Sequence, residues 1–322
     1  MRPRSPSGTC DTRRVAAGTI ASALAPGTNL RAIMIMFIST IAFSLMHASV
    51  RHVSADLHPF EIAFFRNAFG LLVILPWFIR YGPKLLATQR FGLHAVRAGL
   101  NVVAMLCFFY ALAITPLSEV AALSFTAPIF ATILAILILG EVVRARRWVA
   151  IFIGFAGTYV AIRPGFEEVG LGSILVLTQA VAWAAALITI KVLSRTESSI
   201  TIATYMVVLM IPLSLGPALL VWQDPTWVQL GWLALIGVLG TIGQLLMTQS
   251  LKEGDTTVVL PIDFFKLIWA SALGFWLFAE IPDVFTWIGG IMIFASTSYI
   301  AYRESKLKRL PTPQSVGRPP EP

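Results

Sequence analysis

The sequence predicts an all-α integral membrane protein, with ten transmembrane helices arranged as two inverted five-helix repeats. Three observations carry this: long apolar runs, basic residues confined to alternate connections, and a match of the chain to itself at a fixed offset. Of the 322 residues, 57% are apolar or aromatic and 12% are charged, and the mean hydropathy is +0.79. That balance excludes a soluble fold. A bilayer crossing takes about 20 apolar residues, so Leu30 to Ala301 has room for about ten. A transmembrane barrel is excluded by runs such as Ala131 to Leu139, where apolar and polar positions do not alternate.

Charge, proline and glycine delimit the spans in order. Span 1, about 30–50, stops at the polar stretch Arg51 to His58. Span 2, 59–79, runs into the basic connection Arg80 to Arg90. Span 3, 92–112, ends at Thr115 and Pro116, and span 4, 117–139, ends at Gly140 and Glu141. Span 5, 147–162, ends at Arg163 to Gly170. Span 6, 171–190, is closed by Lys191 to Glu197, and span 7, 200–221, by Asp224 and Pro225. Span 8, 228–250, stops at Lys252 to Asp255, span 9, 256–279, at Pro282 and Asp283, and span 10, 284–301, at Arg303. None of these connections is long enough to hold a soluble domain.

Lys and Arg are retained on the cytoplasmic side of a membrane. With the first residue inside, nineteen of the 24 basic residues fall in inner segments. Only Arg51 and Arg163 fall in outer connections, while Arg66, Arg97 and Lys266 lie within spans. The expectation is a multi-pass protein of the inner cell membrane with both termini in the cytoplasm. Residues 1–29 and 303–322 are expected to be disordered cytoplasmic tails flanking repeats at 30–163 and 170–302. Arg13-Arg14, the apolar stretch Val15 to Ala25 and Ala23-Leu24-Ala25 imitate a secretory signal, but cleavage there would invert every connection against the charge count. The net charge of +8 therefore marks topology beside anionic lipid and is not a nucleic-acid footprint. Two cysteines, Cys10 and Cys107, have neither disulfide-framework nor metal-site spacing.

Sliding the chain by 139 residues aligns Tyr110–Ile162 with 249–301, with eleven identities that include Phe125/Phe264, Glu141/Glu280 and Trp148/Trp287. An offset of 140 places Ser54 on Ser194 and Ile62-Ala63 on Ile202-Ala203, so the unit covers five spans. An odd number of spans inverts the second copy. A pseudo-two-fold axis in the membrane plane is the symmetry that alternating access uses, which points to transport.

Tyr110-Ala111-Leu112, the stretch Ser118 to Leu123, Pro128, Gly140-Glu141, Trp148 and the Gly154/Gly157 pair together resemble the EamA type of the drug/metabolite transporter superfamily. The resemblance spans about 30 to 302 and implies two five-helix units around a central cavity that carries small metabolites. Departures fall in the second unit: Ala279 stands before Glu280 in place of glycine, Leu267 stands where Pro128 would map, and Asp263 and Lys266 replace Ser124 and Ala127. Phe64-Phe65-Arg66-Asn67 and Arg146-Arg147-Trp148 are most similar to the S-adenosylmethionine-uptake branch. The expected cargo is an amino acid or derivative, with S-adenosylmethionine among the candidates.

A charge at a lipid-facing helix centre costs about 2.5 to 3.5 kcal/mol on insertion scales, so the intramembrane charges are expected to face the interior. Asp263 and Lys266, three apart, share a face of span 9 and can pair. Lys266 then grips a substrate carboxylate, with Asp263 as counter-charge or as the group for an amine or a coupled proton. Alternatively the two form a structural ion pair that fixes the helix register. Gln179 and Trp183 on span 6, Asn101 on span 3 and Gln244 on span 8 suit a ligand with polar edges and a flat or apolar body; bundle packing is the other reading of Trp183. Tyr110 is a gate or an interfacial anchor. Arg97 lines the interior or snorkels, as does Arg51, and Arg66 lies deep enough to need a partner. His47 is a proton relay or an interhelical hydrogen bonder, and Pro128 permits a kink or hinge in span 4. Glu141 and Glu280 are read as solvated interfacial carboxylates that fix their turns.

No P-loop, H-E-x-x-H or G-x-S-x-G motif is present, and no histidine spacing suits a metal. The sequence therefore predicts no catalytic residues, no cofactor and no metal, only a carrier driven by a gradient. A polytopic enzyme acting on a lipid-linked substrate is the alternative. The expected partners are a small-molecule metabolite and the lipid bilayer, and the chain is monomeric or a homodimer, for which Gly154/Gly157 offers one face.

Overall fold

In hydrocarbon every backbone N–H and C=O has to be satisfied within the chain, which an apolar run of this length achieves by becoming helical. The computed structural model describes residues 26–81, 88–140, 145–163, 170–193, 196–197, 199–254 and 256–308. Its first half holds α1 (Pro26–Val53), α2 (Pro59–Tyr81), α3 (Phe91–Ile114), α4 (Leu117–Ser124), α5 (Ala127–Leu139) and α6 (Ala145–Ile162). The second half holds α7 (Leu171–Leu193), α8 (Ser199–Leu219), α9 (Trp227–Glu253), α10 (Thr256–Asp263), α11 (Phe265–Phe278) and α12 (Val284–Lys308). These twelve segments make ten spans, because α4 continues into α5 and α10 into α11. Seven described stretches are long and apolar enough to cross a bilayer, with shorter apolar stretches at Trp148–Ile162 and Val208–Leu219. Of the expected tails, 26–29 and 303–308 are helical, and the remainder lies outside the described residues.

The sequence predicted spans 4 and 9 each as one helix, with a kink or hinge permitted at Pro128 in span 4, and each is divided in two. At the first break the backbone tightens to i→i−3 bonds, Phe125 N–H to the Ala122 carbonyl and Thr126 N–H to that of Leu123. The Thr126 hydroxyl also donates to the Leu123 carbonyl, at 2.7 Å. Pro128 explains the position: it lacks the N–H that a continuous helix would send to Ser124, and the break puts it in the first turn of α5, where none is needed. The kink expected at Pro128 thus falls two to three residues before it. At the second break, Phe264, no proline occupies the equivalent site. Asp263 and Lys266 bridge that step instead, 2.6 Å apart.

The breaks obey the repeat, since Phe125 and Phe264 are related by the offset of 139. Their rings lie 5.7 Å apart, so the pseudo-two-fold axis passes between them. Packing follows the same exchange: α1 lies along α9 as α7 lies along α3, α2 meets α9 as α8 meets α3, and α11 rests on α1 as α5 rests on α7. Helices α6 and α12 pair with each other. A Cβ at Gly157 would stand 2.8 Å from the Gly289 carbonyl, so the Gly154/Gly157 face closes the α6–α12 contact inside the chain.

Pro26 and Lys308 share one face of the bundle, called here the near face. The main core, with Ile62, Leu112, Leu117, Val120, Leu123, Ile236 and Leu267 fully buried, belongs mostly to the opposite, far half.

Candidate functional site

Mid-span residues of both halves surround a cavity of about 140 Å³. Asn101 reaches it from α3, Gln179 and Trp183 from α7, Gln244 from α9 and Arg66 from α2, with Met46, Met206 and Met210 among its apolar walls. An adjoining space of about 90 Å³ shares Arg66, Gln244 and the two α8 methionines. Helix spacing explains the α7 pair, because Gln179 and Trp183 are four apart and face the same way. Glycine explains how Arg66 enters: a Cβ at Gly240 would lie 2.6 Å from Met46 Sδ and 3.1 Å from Arg66 Nε. The Arg66 guanidinium donates to Asn67 Oδ1 at 3.1 Å, and Asn67 donates to the Ser214 hydroxyl on α8 at 3.2 Å. Among the described residues, no carboxylate lines this cavity.

Five of the residues singled out in the sequence, Arg66, Asn101, Gln179, Trp183 and Gln244, therefore meet in one place. The others do not. Asp263 and Pro128 line a second, near-side cavity of about 340 Å³ together with Phe125, Lys191 and Phe294. Lys266 sits at the α10–α11 break, paired with Asp263 and 4.7 Å from the Phe43 ring centroid. His47 packs between Phe43 and Phe108, and Phe108 is itself a wall of the central cavity. Arg97 points to α8, donating to the Ile202 carbonyl at 2.6 Å. Tyr110 joins His58 and Phe60 in an aromatic cluster at the far end.

The far face carries a set of polar contacts whose pairings the sequence did not reveal. Arg51 Nη2 lies 2.5 Å from Glu280 Oε1, and Arg51 Nη1 donates to the carbonyls of Leu112 and Thr115 at 2.9 and 2.6 Å. Glu280 Oε2 accepts the Leu117 N–H at 2.9 Å. Glu61 accepts the Gln223 N–H, Ser173 donates to Glu119, and Arg163 pairs with Asp283 at 2.7 Å. Apart from the two Arg51–carbonyl bonds, which lie within the first half, every one of these joins the first half to the second. Glu280 is thus not a solvated carboxylate: its side chain is 12% exposed, because the Arg51 guanidinium and the Leu117 N–H enclose it. Its recurrence in the repeat, as Glu141/Glu280, was the available signal; Glu141 itself lies outside the described residues.

Residues 30–163 and 170–302 each match the EamA-like transporter family. The chain belongs to that family. Among curated EamA-like relatives, the S-adenosylmethionine uptake transporter of Rickettsia bellii is 29% identical over 269 residues, covering 84% of this chain and 92% of its own. The riboflavin transporter of Vibrio cholerae is 32% identical over 280 residues, covering 85% and 94%. A solved crystal structure aligns with a TM-score of 0.57 at 15% identity, over 88% of this chain and all of that one, which speaks to the fold alone. The two matched segments coincide with the two structural halves, and the central cavity of this EamA-like transporter lies where they meet. As a small-metabolite transporter of the membrane, the chain is not an enzyme.

Proposed function

We propose that the chain is a secondary-active carrier that moves a small polar metabolite by alternating access. The cargo is an amino acid or amino-acid derivative, with S-adenosylmethionine the leading candidate. The observation that carries the reading is the cavity between the halves, where one guanidinium, three amides and an indole face a common space with no carboxylate among them. A pocket of this kind orients a polar ligand by a few groups and holds its body by apolar contact. The names of the Rickettsia and Vibrio relatives support a metabolite with a polar, partly flat body. Placement in the inner membrane with both ends in the cytoplasm rests on the basic-residue count, and two-domain organisation at 30–163 and 170–302 on the repeat.

Alternating access is supported by the symmetry of the breaks and by the ion-pair contacts that join the halves on the far face. Under the repeat, Arg51 corresponds to Lys191, near the end of α7, and Glu280 to Glu141, which follows span 4 in the sequence. One pair closes the far side, and its counterpart closes the near side when the halves exchange conformations.

The test is uptake of radiolabelled S-adenosylmethionine by proteoliposomes under an imposed proton or substrate gradient. Accumulation above protein-free vesicles is expected. Failure to move S-adenosylmethionine, riboflavin or any of the amino acids in either direction would sink the reading.

A further inference from the structure

Many hydroxyls in this bundle are satisfied within the chain, Ser39, Thr132, Thr158, Ser214, Thr241 and Ser250 each donating to a backbone carbonyl, whereas a minority of buried polar atoms, Ser44 Oγ, both His94 nitrogens and Arg97 Nε among them, have no hydrogen-bond partner. Two further unpaired atoms belong to residues that line the central cavity, one from each of the packed helices α3 and α7. Asn101 Nδ2 on α3 and Gln179 Oε1 on α7 are buried with no hydrogen-bond partner, and Asn101 is only 3% exposed. They do not bond each other. One is a donor and the other an acceptor, and Trp183 stands one turn along α7 from Gln179 at the same cavity wall. Leaving amide groups buried and unpaired is costly, and at the wall of a cavity a ligand can supply the missing partners.

We propose that Asn101 and Gln179 read the hydrogen-bonding edge of a flat nitrogen heterocycle that lies against Trp183, with Arg66 facing the ligand's carboxylate or other electron-rich end. This rests on the carrier reading and narrows it: the cargo must contain a ring with adjacent donor and acceptor atoms, and a ring-free amino acid does not suffice. The chemistry is complementary on both sides. A side-chain amide offers N–H and C=O together, the arrangement that pairs with an amino-pyrimidine or lactam edge. An indole face gains by stacking on any such ring. Among the described residues, Arg66 brings the only charge to the cavity's walls, and it meets only the neutral Asn67 oxygen. A ring-free amino acid would leave the Asn101–Gln179 pair without a ring edge.

The experiment is a ligand-induced thermal shift and equilibrium binding on the purified full-length carrier, with adenosine, riboflavin, guanosine and S-adenosylmethionine set against methionine and lysine. At least one ring-bearing compound is expected to raise the melting temperature, with no shift from methionine or lysine. Asn101→Leu and Gln179→Leu are each expected to weaken that compound about tenfold or more. Their unliganded melting temperatures should be unchanged or higher, because each removes an unpaired buried group. A structural role would lower them instead. The proposal is overturned by stabilisation from methionine or lysine alone, by no shift from any ring compound, or by undiminished ring binding in both variants. Transport separates the two claims. Proteoliposomes that carry a ring-free amino acid leave the carrier standing without the edge reading, whereas ring binding without movement in either direction leaves the edge reading without the carrier.

Discussion

Arg51, at the far end of α1, and Glu280, in the turn after α11, form an ion pair that joins the first half of the chain to the second. The pair also ties down the turn between α3 and α4, since Arg51 meets the Thr115 carbonyl and Glu280 meets the Leu117 N–H. With side-chain exposures of 19% and 12%, it lies in the range where removing one partner strands the other.

Glu280→Gln is therefore expected to lower stability by about 3 kcal/mol, the low end for a broken buried pair, since Arg51 keeps two carbonyls. It should also loosen the far side. Ser118, buried at 3% beside the far-face cavity, provides the readout as Ser118→Cys in a background lacking Cys10 and Cys107. Faster reaction with a membrane-impermeant maleimide is expected in Glu280→Gln. Equal rates would make the pair a static clamp.

Asp263 and Lys266 admit a cleaner separation of binding from architecture. Lys266→Ala is expected to abolish transport while membrane insertion stays normal. If the pair only held α10 against α11, each single substitution would destabilise by stranding a charge, and the Asp263→Ala/Lys266→Ala double variant would recover both stability and transport. Transport kinetics and melting curves for the three variants decide between them.

Ala279 occupies a left-handed conformation, φ +54°, at the position that Gly140 fills at φ +66° in the first half. A non-glycine residue there costs roughly 1 to 2 kcal/mol, and glycine returns about 0.5 to 1 kcal/mol of that in backbone entropy. Ala279→Gly should raise stability by about 0.5 to 1 kcal/mol net. A lower melting temperature would mean that the Ala279 methyl makes contacts that outweigh the strain.

His58 caps α2: its Nδ1 accepts the Phe60 N–H at 3.3 Å. Only an unprotonated Nδ1 accepts, and partial burial holds the imidazole below its usual pKa. The unfolded chain takes up the proton first as pH falls. The stabilisation is thus complete above about pH 6.5 and declines as pH drops through that value. His58→Asn, with a preferred capping side chain, should remove this component of the pH dependence in melting curves. An unaltered profile would assign the acid sensitivity elsewhere.

The architecture was legible because hydrophobic length, basic-residue placement and the 139-residue offset are all one-dimensional signals. The offset even carried the paired breaks, since Phe125 and Phe264 stood among its identities. Pro128 marked span 4 as able to kink, but the break in span 9 was not legible: an apolar run without proline at that site reads the same whether its helix is continuous or divided. For the site, spacing found Gln179 and Trp183 on one face, and polar rarity found Asn101, Gln244 and Arg66. What spacing cannot show is which helix faces which. Asp263 and Lys266 were grouped with that cluster by their charge, whereas the bundle puts them around a different break. Arg51 was read as lining the interior or snorkelling and Glu280 as interfacial, because their partnership exists only across 229 residues of chain.

The repeat turns that partnership into a prediction for the near face. Lys191 ends α7 as Arg51 ends α1, and Glu141 follows span 4 as Glu280 follows span 9. If the two pairs stabilise opposite states, weakening one shifts the population toward opening on its own side, and about 1.4 kcal/mol of bias changes the ratio tenfold. Lys191→Gln should therefore slow maleimide labelling of Ser118→Cys relative to the unsubstituted pair, whereas Glu280→Gln speeds it. Combining the two should bring the rate back toward the starting value while leaving the protein less stable than either parent. Labelling that rises in both single variants would mean general loosening, and the Lys191–Glu141 counterpart would then have no role in the exchange.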